Sequence, residues 1–196
     1  MFWGLTTLAK HVRRLEDVGD WDSLLADFDY KPRHPRNEKA HRSVGAMSEL
    51  DNARRFYPLS QGAIITDDKD KIIAGAVYSK GMHPRRQPYF ESFTPQYGDY
   101  ELVSLFRHPR DILAKEPSKG AGLEALVTAM EDILRDPLAQ RLVVVPGRGA
   151  EPFYKSHGFK RVGREYFLDM APNAPVLALD RRSMVALVKK FRSGQI

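Results

Sequence analysis

The fold of this chain is decided by a glycine-containing turn, Pro117-Ser118-Lys119-Gly120-Ala121-Gly122, and by the apolar pattern that follows it. Apolar residues recur at intervals of three and four from Leu123 to Leu134, which predicts an amphipathic helix that begins at the turn. The glycines let the backbone bend and approach a ligand, and the first N–H groups of a helix have no intrahelical acceptor. Together with the helix dipole and the charge of Lys119, these groups predict a phosphate-binding position. The alternative for so short a motif is an ordinary loop that enters a surface helix, so the flanking sequence has to decide.

Strands are predicted on both sides of this helix. Residues 100–106 have the pattern of a strand, and residues 141–145 form an apolar run typical of a buried strand. Strand, turn, helix and strand in this order make a βαβ unit. Upstream, residues 63–66, a polar turn over residues 67–70 and residues 72–77 predict a hairpin.

A second motif follows the buried strand, and it reads Ala150-Glu151-Pro152-Phe153-Tyr154-Lys155-Ser156-His157-Gly158-Phe159. It predicts a short helix and a turn into a strand over residues 166–170. Both motifs resemble the GNAT superfamily of acetyl-CoA-dependent N-acetyltransferases, whose turn has the form Arg/Gln-x-x-Gly-x-Gly/Ala and whose later segment is similar to Ala-x-x-Phe/Leu-Tyr-x-x-x-Gly-Phe. The resemblance covers about residues 100–170 and extends loosely to residues 62–78.

The resemblance implies an α/β fold with a mixed central sheet flanked by helices, in a GNAT-like domain over residues 1–170. It implies acetyl-CoA as the acyl donor and direct attack of an amine on the thioester. In the family, backbone groups at the end of the strand bind the pantetheine arm and the turn binds phosphates. The matching positions are Leu105, Phe106, Arg107, Lys119, Gly120, Ala121, Gly122, Leu123, Phe153 and Tyr154.

Two residues are candidates for the proton transfers of such a reaction. By resemblance, Tyr154 is the donor to the departing thiolate, and the alternative is that its ring only packs in an aromatic core. An amine is mostly protonated at neutral pH, so a base is also needed. Glu101, on the strand that borders the expected cleft, is the candidate base, with Glu91 and Asp99 as alternatives, although charged strand residues usually face solvent.

The chain departs from the family pattern in three places. Pro117 replaces the usual Arg or Gln, Gly147 replaces an Asn before the tyrosine helix, and the connection from His108-Pro109 to Gly120 is longer than usual. Backbone N–H groups would still bind phosphate, and nearby cations are candidates to supply the missing charge: Arg110, Lys115 and Arg148. A CoA-binding regulatory or scaffold protein with little or no turnover is therefore an alternative interpretation.

Composition narrows the remaining classes. The chain of 196 residues has no cysteine and six histidines without metal-ligand spacing, so we expect neither a thiol nucleophile nor a metal site. Its serines lack the strand-turn-helix setting of a hydrolase. No apolar run is long enough to span a membrane and no signal-peptide pattern is present, so we expect a cytoplasmic protein without a membrane partner.

The net charge of +6 is concentrated in two basic clusters, one at residues 31–42 and one near the C-terminus. The second contains Arg181, Arg182, Lys189, Lys190 and Arg192. Such clusters fit RNA, an acidic protein or the phosphates of CoA, or they simply keep the surface solvated. A basic nucleic-acid or partner-binding module is thus a third interpretation, and an aminoacyl-tRNA joins protein lysines, N-termini and small amines as a potential acceptor.

The two ends of the chain are less family-like. Residues 2–6 predict a first strand, and helices are expected over residues 8–15, 21–28 and 47–56, where they would form the wall that faces the acceptor. Residues 171–196 are expected to be a linker, at residues 171–175, and a basic amphipathic helix over residues 182–191. This helix would cover the core or mediate formation of a homodimer.

Overall fold

The computed structural model describes residues 11–15, 60–82, 90–147, 149–165 and 174–196. Within these ranges one mixed sheet contains eight strands: β1 His11–Leu15, β2 Gln61–Thr66, β3 Ile72–Lys80, β4 Phe90–Glu91, β5 Asp99–Arg107, β6 Arg141–Val144, β7 Lys160–Glu165 and β8 Ala174–Asp180. The helices in these ranges are α1 Pro109–Ile112, α2 Ala121–Leu134, α3 Glu151–Ser156 and α4 Arg181–Arg192. None of these helices is long and apolar enough to cross a membrane.

The sheet runs in the order β1-β2-β3-β5-β6-β8-β7-β4, and β5 and β6 are its parallel neighbours. The other neighbouring pairs are antiparallel. Helix α2 connects β5 to β6, which confirms the predicted βαβ unit. Strands β2 and β3 likewise confirm the predicted hairpin.

The main core lies between the sheet and the pair of helices α2 and α4. The middle of α2 is buried on all sides, over residues 125–130, and Leu123 and Leu134 are partly buried near its ends. Helix α4 adds two buried side chains to the same core. The residues of the two helices that belong to this core are Ala121, Ala125, Leu126, Ala129, Met130, Ile133, Met184 and Leu187.

Helix α4 is fixed to α2 by an arginine at each of its ends. The Arg181 guanidinium donates hydrogen bonds of 2.8, 2.9 and 3.0 Å to three backbone carbonyls at and just beyond the end of α2. Arg192 donates two hydrogen bonds of 2.7 Å to the carboxylate of Glu131. Two members of the C-terminal basic cluster are therefore engaged within the fold.

The structure corrects the sequence prediction beyond the short helix α3. Strand β7 begins at Lys160, while the predicted strand over residues 166–170 lies outside the described residues. Ala174 and Pro175, expected in a linker, belong to β8, which lies between β6 and β7. Proline fits there because β8 pairs with β6 only from Leu177 onward, so β7 is its neighbour on one side alone at Pro175.

The N-terminal predictions are corrected at one place. Residues 11–15 were expected in a helix but form β1, which pairs with β2 over five register pairs, from His11–Thr66 to Leu15–Gly62. Pairing to a preformed strand overrides a short local helical pattern. The predicted strand at residues 2–6, the helices at 21–28 and 47–56 and the basic cluster at 31–42 lie outside the described residues.

Candidate functional site

The candidate site lies at the carboxyl ends of β5 and β6, where the two parallel strands part. Their pairing covers three register pairs and ends at Glu101–Val143. Beyond this point β5 continues along β3 to Arg107, and the register shifts so that Val103 is an extra residue, a β-bulge. A bulge bends its strand. The β5–β6 pairing thus ends at the carboxyl ends of parallel strands, the usual place for a ligand in such sheets.

The glycine turn leads into α2 from this end of β5. Gly120 is the N-cap residue with φ of 75°, a left-handed conformation that favours glycine, and no side chain caps the helix. A Cβ atom at Gly120 would meet no atom within 4 Å. The N–H groups of the first turn of α2 are thus not covered by a capping side chain, which leaves them suited to an anion.

A buried carboxylate joins this turn to the end of β5. Asp111 Oδ1 accepts a hydrogen bond of 2.9 Å from the Ser118 N–H. Asp111 Oδ2 accepts one of 3.1 Å from Arg107 Nε and also contacts a terminal guanidinium nitrogen of Arg107. A Cβ atom at Gly122 would lie 3.5 Å from Arg107 Cγ, so the Arg107 side chain lies beside the first turn of α2.

The sequence predicts a role for Arg107 only through its backbone, and none for Asp111. The two residues are four apart, but Arg107 ends β5 and His108 has extended backbone, so the pair forms across the strand-to-helix junction and not along one helix. The candidate cations differ in position: Arg110 lies against the buried ring of His108, and Lys115 is exposed. Arg148 lies outside the described residues.

Tyr154 occupies a specific position at the end of α3. Gly158, with φ of 90°, follows the helix, and its N–H donates to the Lys155 carbonyl at 3.0 Å. The Phe159 N–H donates to the Tyr154 carbonyl at 3.1 Å, and the rings of Tyr154 and Phe159 pack edge to face with centroids 5.3 Å apart. This is a Schellman motif with its usual apolar contact. The spacing of the motif therefore has a structural role in ending the helix.

The ring of Tyr154 packs against other rings, but its hydroxyl has different surroundings. The residue is 5% exposed, and no hydrogen bond links its hydroxyl to another described residue. Burial raises the pKa of Tyr154 above its ordinary value of 10.0, so the phenol stays protonated at neutral pH. It can donate a hydrogen bond. Phe153 is half-buried, with its ring against those of Tyr154 and His157.

The three carboxylates considered as a base occupy different surroundings. Asp99 is buried, accepts two hydrogen bonds from Arg141 at 2.7 and 2.8 Å, and accepts one from the Gln96 N–H at 2.8 Å. Glu91 is exposed on β4, at the far edge of the sheet. Glu101 is 1% exposed and lies at the last register pair before β5 and β6 part, so it does not face solvent as most charged strand residues do.

Of the other residues that match the family's motif positions, some pack in the core and others are exposed. Phe106 is buried against Gly75, where a Cβ atom would lie 2.7 Å from the Phe106 ring, so glycine makes room for it. Ala121 is buried, and Leu105 and Leu123 are partly buried against the core. Lys119 is exposed at the turn together with Gly120.

Comparison with known proteins identifies the fold. Neither a protein-family model nor a curated protein sequence matches the chain. Solved structures do, and they cover most of both chains. An acetyltransferase of the GNAT family from Staphylococcus aureus matches with a TM-score of 0.53 at 10% identity, over 87% of this chain and 99% of that one.

Two further structures are similar. AtaTR bound with acetyl-CoA matches with a TM-score of 0.56 at 17% identity, over 91% of this chain and 97% of that one. An uncharacterised protein from Bacillus halodurans matches with a TM-score of 0.63 at 12% identity, over 95% and 92%. The predicted fold class is confirmed, and the chain has the GNAT fold.

Proposed function

We propose that this chain, built on the GNAT fold, is an N-acetyltransferase that transfers the acetyl group of acetyl-CoA to an amine. One observation carries the proposal: the end of the β5–β6 pairing and the uncapped start of α2 at Gly120 both lie toward the carboxyl end of β5. A ligand with phosphates at one end and a thioester at the other suits this arrangement. AtaTR, which shares the fold, has been solved with acetyl-CoA.

The residues of the turn fit the phosphates of CoA. The backbone N–H groups that follow Gly120 carry the positive end of the α2 dipole. The side chain of Arg107 runs beside Gly122, and Lys119 is exposed at the same turn. Backbone N–H groups and a planar guanidinium are both good donors to phosphate oxygens. Ala121 and Leu123 would contribute through their backbones, as would Leu105 and Phe106 toward the pantetheine arm.

In the proposed reaction one bond forms and one breaks. A neutral amine attacks the thioester carbonyl carbon, an N–C bond forms and the C–S bond breaks. The amine nitrogen loses a proton to a base, and the departing thiolate takes a proton from solvent. Acetyl-CoA supplies the thioester. Glu101 is the proposed acceptor of the amine proton, directly or through a water. It lies at the last register pair before the strands part, whereas Asp99 is paired with Arg141 and Glu91 lies at the far edge of the sheet.

The pKa values of a thiol and of a tyrosine decide whether Tyr154 transfers a proton to the sulfur or only donates a hydrogen bond to it. An ordinary thiol has a pKa near 8.5 and an ordinary tyrosine one near 10, so proton transfer from tyrosine to thiolate is uphill by about 2 kcal/mol. Burial raises the pKa of Tyr154 further and makes the transfer still less favourable. We therefore assign Tyr154 the role of hydrogen-bond donor to the sulfur as negative charge develops. Phe153 supports its ring.

The acceptor is proposed at the level of chemical class, an amine. A protein lysine or N-terminus, a small amine and an aminoacyl-tRNA are the candidates to be offered in an assay. A tRNA acceptor predicts binding that weakens as salt rises, because cations on the protein replace counterions on the phosphates. A small acceptor predicts no such dependence.

The proposal is tested by measuring thiol release from acetyl-CoA in the presence of each acceptor class. Wild-type protein should release thiol only when an accepted amine is present. Tyr154→Phe should lower kcat about 100-fold with little change in acetyl-CoA affinity, as expected when one preorganised donor is removed. Tyr100→Phe, which changes another buried tyrosine, is the matched control and should keep kcat. An unchanged kcat in Tyr154→Phe would remove the assigned role.

A second candidate function is acetyl-CoA binding without turnover. The specific observation in its favour is that Tyr154 already has a structural role, since its ring makes the apolar contact of the Schellman motif with Phe159. This alternative predicts saturable acetyl-CoA binding and no thiol release with any acceptor. The nucleic-acid module is less favoured, because Arg181 and Arg192 contact α2.

A further inference from the structure

Asp111 is a buried charge beside the proposed site to which the reaction assigns no part. Its side chain is 4% exposed, and it lies on α1, within the connection that is longer than the family pattern. A buried carboxylate is tolerated only when it is paired and hydrogen-bonded. The two oxygens of Asp111 meet this need with different elements, the turn at Ser118 and the end of β5 at Arg107.

We propose that Asp111 is a positioning residue that holds the Arg107 guanidinium beside the turn, where Arg107 binds a CoA phosphate. This inference rests on the proposed function, since it names the charge that serves the same site. The turn has Pro117 where the family has Arg or Gln, so it lacks a cation at that position. Arg107 enters the site from the end of β5 instead.

The geometry shows why one carboxylate is enough for this task. Oδ1 fixes the backbone of the turn through the Ser118 N–H at 2.9 Å, and Oδ2 fixes Arg107 through Nε at 3.1 Å. The distance between the turn and the guanidinium is thereby set by a single rigid group. The Arg107 side chain is 33% exposed and the Asp111 side chain 4%, so the arginine is the more accessible partner of the ion pair.

Preorganisation is the expected benefit of this arrangement. A long arginine side chain loses rotamer freedom when it binds a ligand, and this entropy opposes binding. Asp111 restricts Arg107 before the ligand arrives. The guanidinium is a planar group with five N–H donors, and Asp111 engages those on Nε and one terminal nitrogen. Its plane is consequently defined with respect to the turn.

Helix α1 holds Asp111 in place. The His108 ring is buried, and its Nδ1 accepts a hydrogen bond of 3.0 Å from the Arg110 N–H, which caps α1. The His108 N–H donates to the Ile73 carbonyl on β3 at 2.8 Å, and the Asp111 N–H donates to the His108 carbonyl at 3.0 Å. The longer connection is therefore attached to the sheet and presents Asp111 at a defined position.

The test compares acetyl-CoA binding and thiol release for wild-type protein, Asp111→Asn, Arg107→Gln and the double variant. Each single substitution should raise Kd and KM about tenfold and leave kcat within about twofold, because phosphate binding is shared by ground state and transition state. The double variant should bind no more weakly than Arg107→Gln alone, since Asp111 acts through Arg107. Arg107→Lys should recover only part of the affinity, because lysine lacks the planar fork.

Asp132→Asn is the matched control. Asp132 has a side chain 8% exposed and pairs with Arg135 at 3.2 Å, but it lies at the other end of α2. Its substitution should leave Kd unchanged. Thermal unfolding of each variant separates loss of fold from loss of affinity. Arg107→Lys, which leaves Asp111 a cationic partner, keeps the test decisive if Asp111→Asn or Arg107→Gln does not fold.

Two results would overturn the inference while leaving the proposed function intact. One is wild-type Kd in Arg107→Gln. The other is a double variant in which the two losses multiply, which would mean that Asp111 acts independently of Arg107. If the wild-type protein fails to bind acetyl-CoA at millimolar concentration, the proposed function fails, and this inference fails with it.

Discussion

The two ends of β5 are built in opposite ways. At the amino end, Asp99 forms a buried ion pair with Arg141 on β6, and the Tyr100 hydroxyl donates to the Asp136 carboxylate at 2.7 Å. The Lys80 ammonium donates to the same carboxylate at 2.7 Å. At this end side chains therefore tie β3, β5 and β6 and the segment that follows α2 together.

Toward the carboxyl end of β5, the described strands β5 and β6 are no longer paired. The β5–β6 register ends at Glu101, the bulge at Val103 follows, and α2 begins at Gly120 without a side-chain cap. Strand β5 therefore stabilises the sheet at its amino end and borders the candidate site at its carboxyl end. Stability and ligand affinity should then respond to substitutions at different ends.

The largest effect on stability is expected from Arg141→Met. Asp99 has a side chain 0% exposed, so losing Arg141 leaves a buried charge without its main partner and lowers the free energy of unfolding by about 3–5 kcal/mol. Urea unfolding measures this change. Acetyl-CoA affinity of the folded variant should stay within about twofold, because the pair lies at the amino end of β5.

Lys155→Met is the control for this experiment. It removes a pair with Glu151 whose side chains are 53% and 34% exposed, and such pairs contribute less than about 1 kcal/mol. A loss in Arg141→Met no larger than in Lys155→Met would contradict the contrast between the two ends. So would acetyl-CoA binding weakened tenfold by Arg141→Met.

A smaller effect on stability should separate the two buried tyrosines. Tyr100→Phe removes a hydrogen bond to a carboxylate and should lower the free energy of unfolding by about 1.5 kcal/mol. Tyr154→Phe should change it by less than about 0.5 kcal/mol, because its hydroxyl has no partner among the described residues. Denaturant unfolding of both variants makes the comparison, and a larger loss in Tyr154→Phe would reverse the roles assigned to them.

The smallest expected effect is a pH dependence of the free energy of unfolding, caused by Asp136 near the amino end of β5. Hydrogen bonds from Lys80, the Leu138 N–H and Tyr100 lower the pKa of Asp136 from 3.8 to about 2. A carboxylate with a lowered pKa contributes stability that is complete above its ordinary pKa and is lost as pH falls through the folded value. The stability difference between wild type and Asp136→Asn should therefore narrow from about pH 4 to about pH 2. A difference that stays constant over this range would contradict the assignment.

Much of the fold could be predicted from the sequence because its patterns are local. The spacing in α2, the alternation in β5 and the turn between β2 and β3 are each set within a few residues. Strand β8 was missed because Pro172 and Pro175 are typical of a linker and the apolar run that follows is short. Its strand character depends on neighbours on both sides, β6 and β7, which the local sequence does not show.

The candidate site was predictable in part. The start of α2 at Gly120 could be predicted because the left-handed conformation that favours glycine there is a local feature. The ligand-binding roles of Gly120 and Gly122 stay predictions. The roles of Asp99 and Arg141 could not, since their contact joins residues 42 positions apart in the chain. Asp111 comes four residues after Arg107 in the chain, but only the turn of α1 brings the two together with Ser118.

The central claim is that acetyl-CoA binds at the carboxyl end of β5, and calorimetric titration of Gly120→Glu and Gly81→Glu tests it most directly. The two glycines have φ of 75° and 77°, and a Cβ atom at either would meet no atom within 4 Å, so backbone strain is matched. Gly81 lies at the amino end of β5, where its N–H donates to the Asp99 carbonyl at 2.8 Å. We predict saturable binding to wild type and Gly81→Glu, and a loss of at least about 100-fold in Gly120→Glu, because a carboxylate would repel phosphate at the helix start. Equal affinity in the two variants, or no binding to wild type at millimolar acetyl-CoA, would contradict the account.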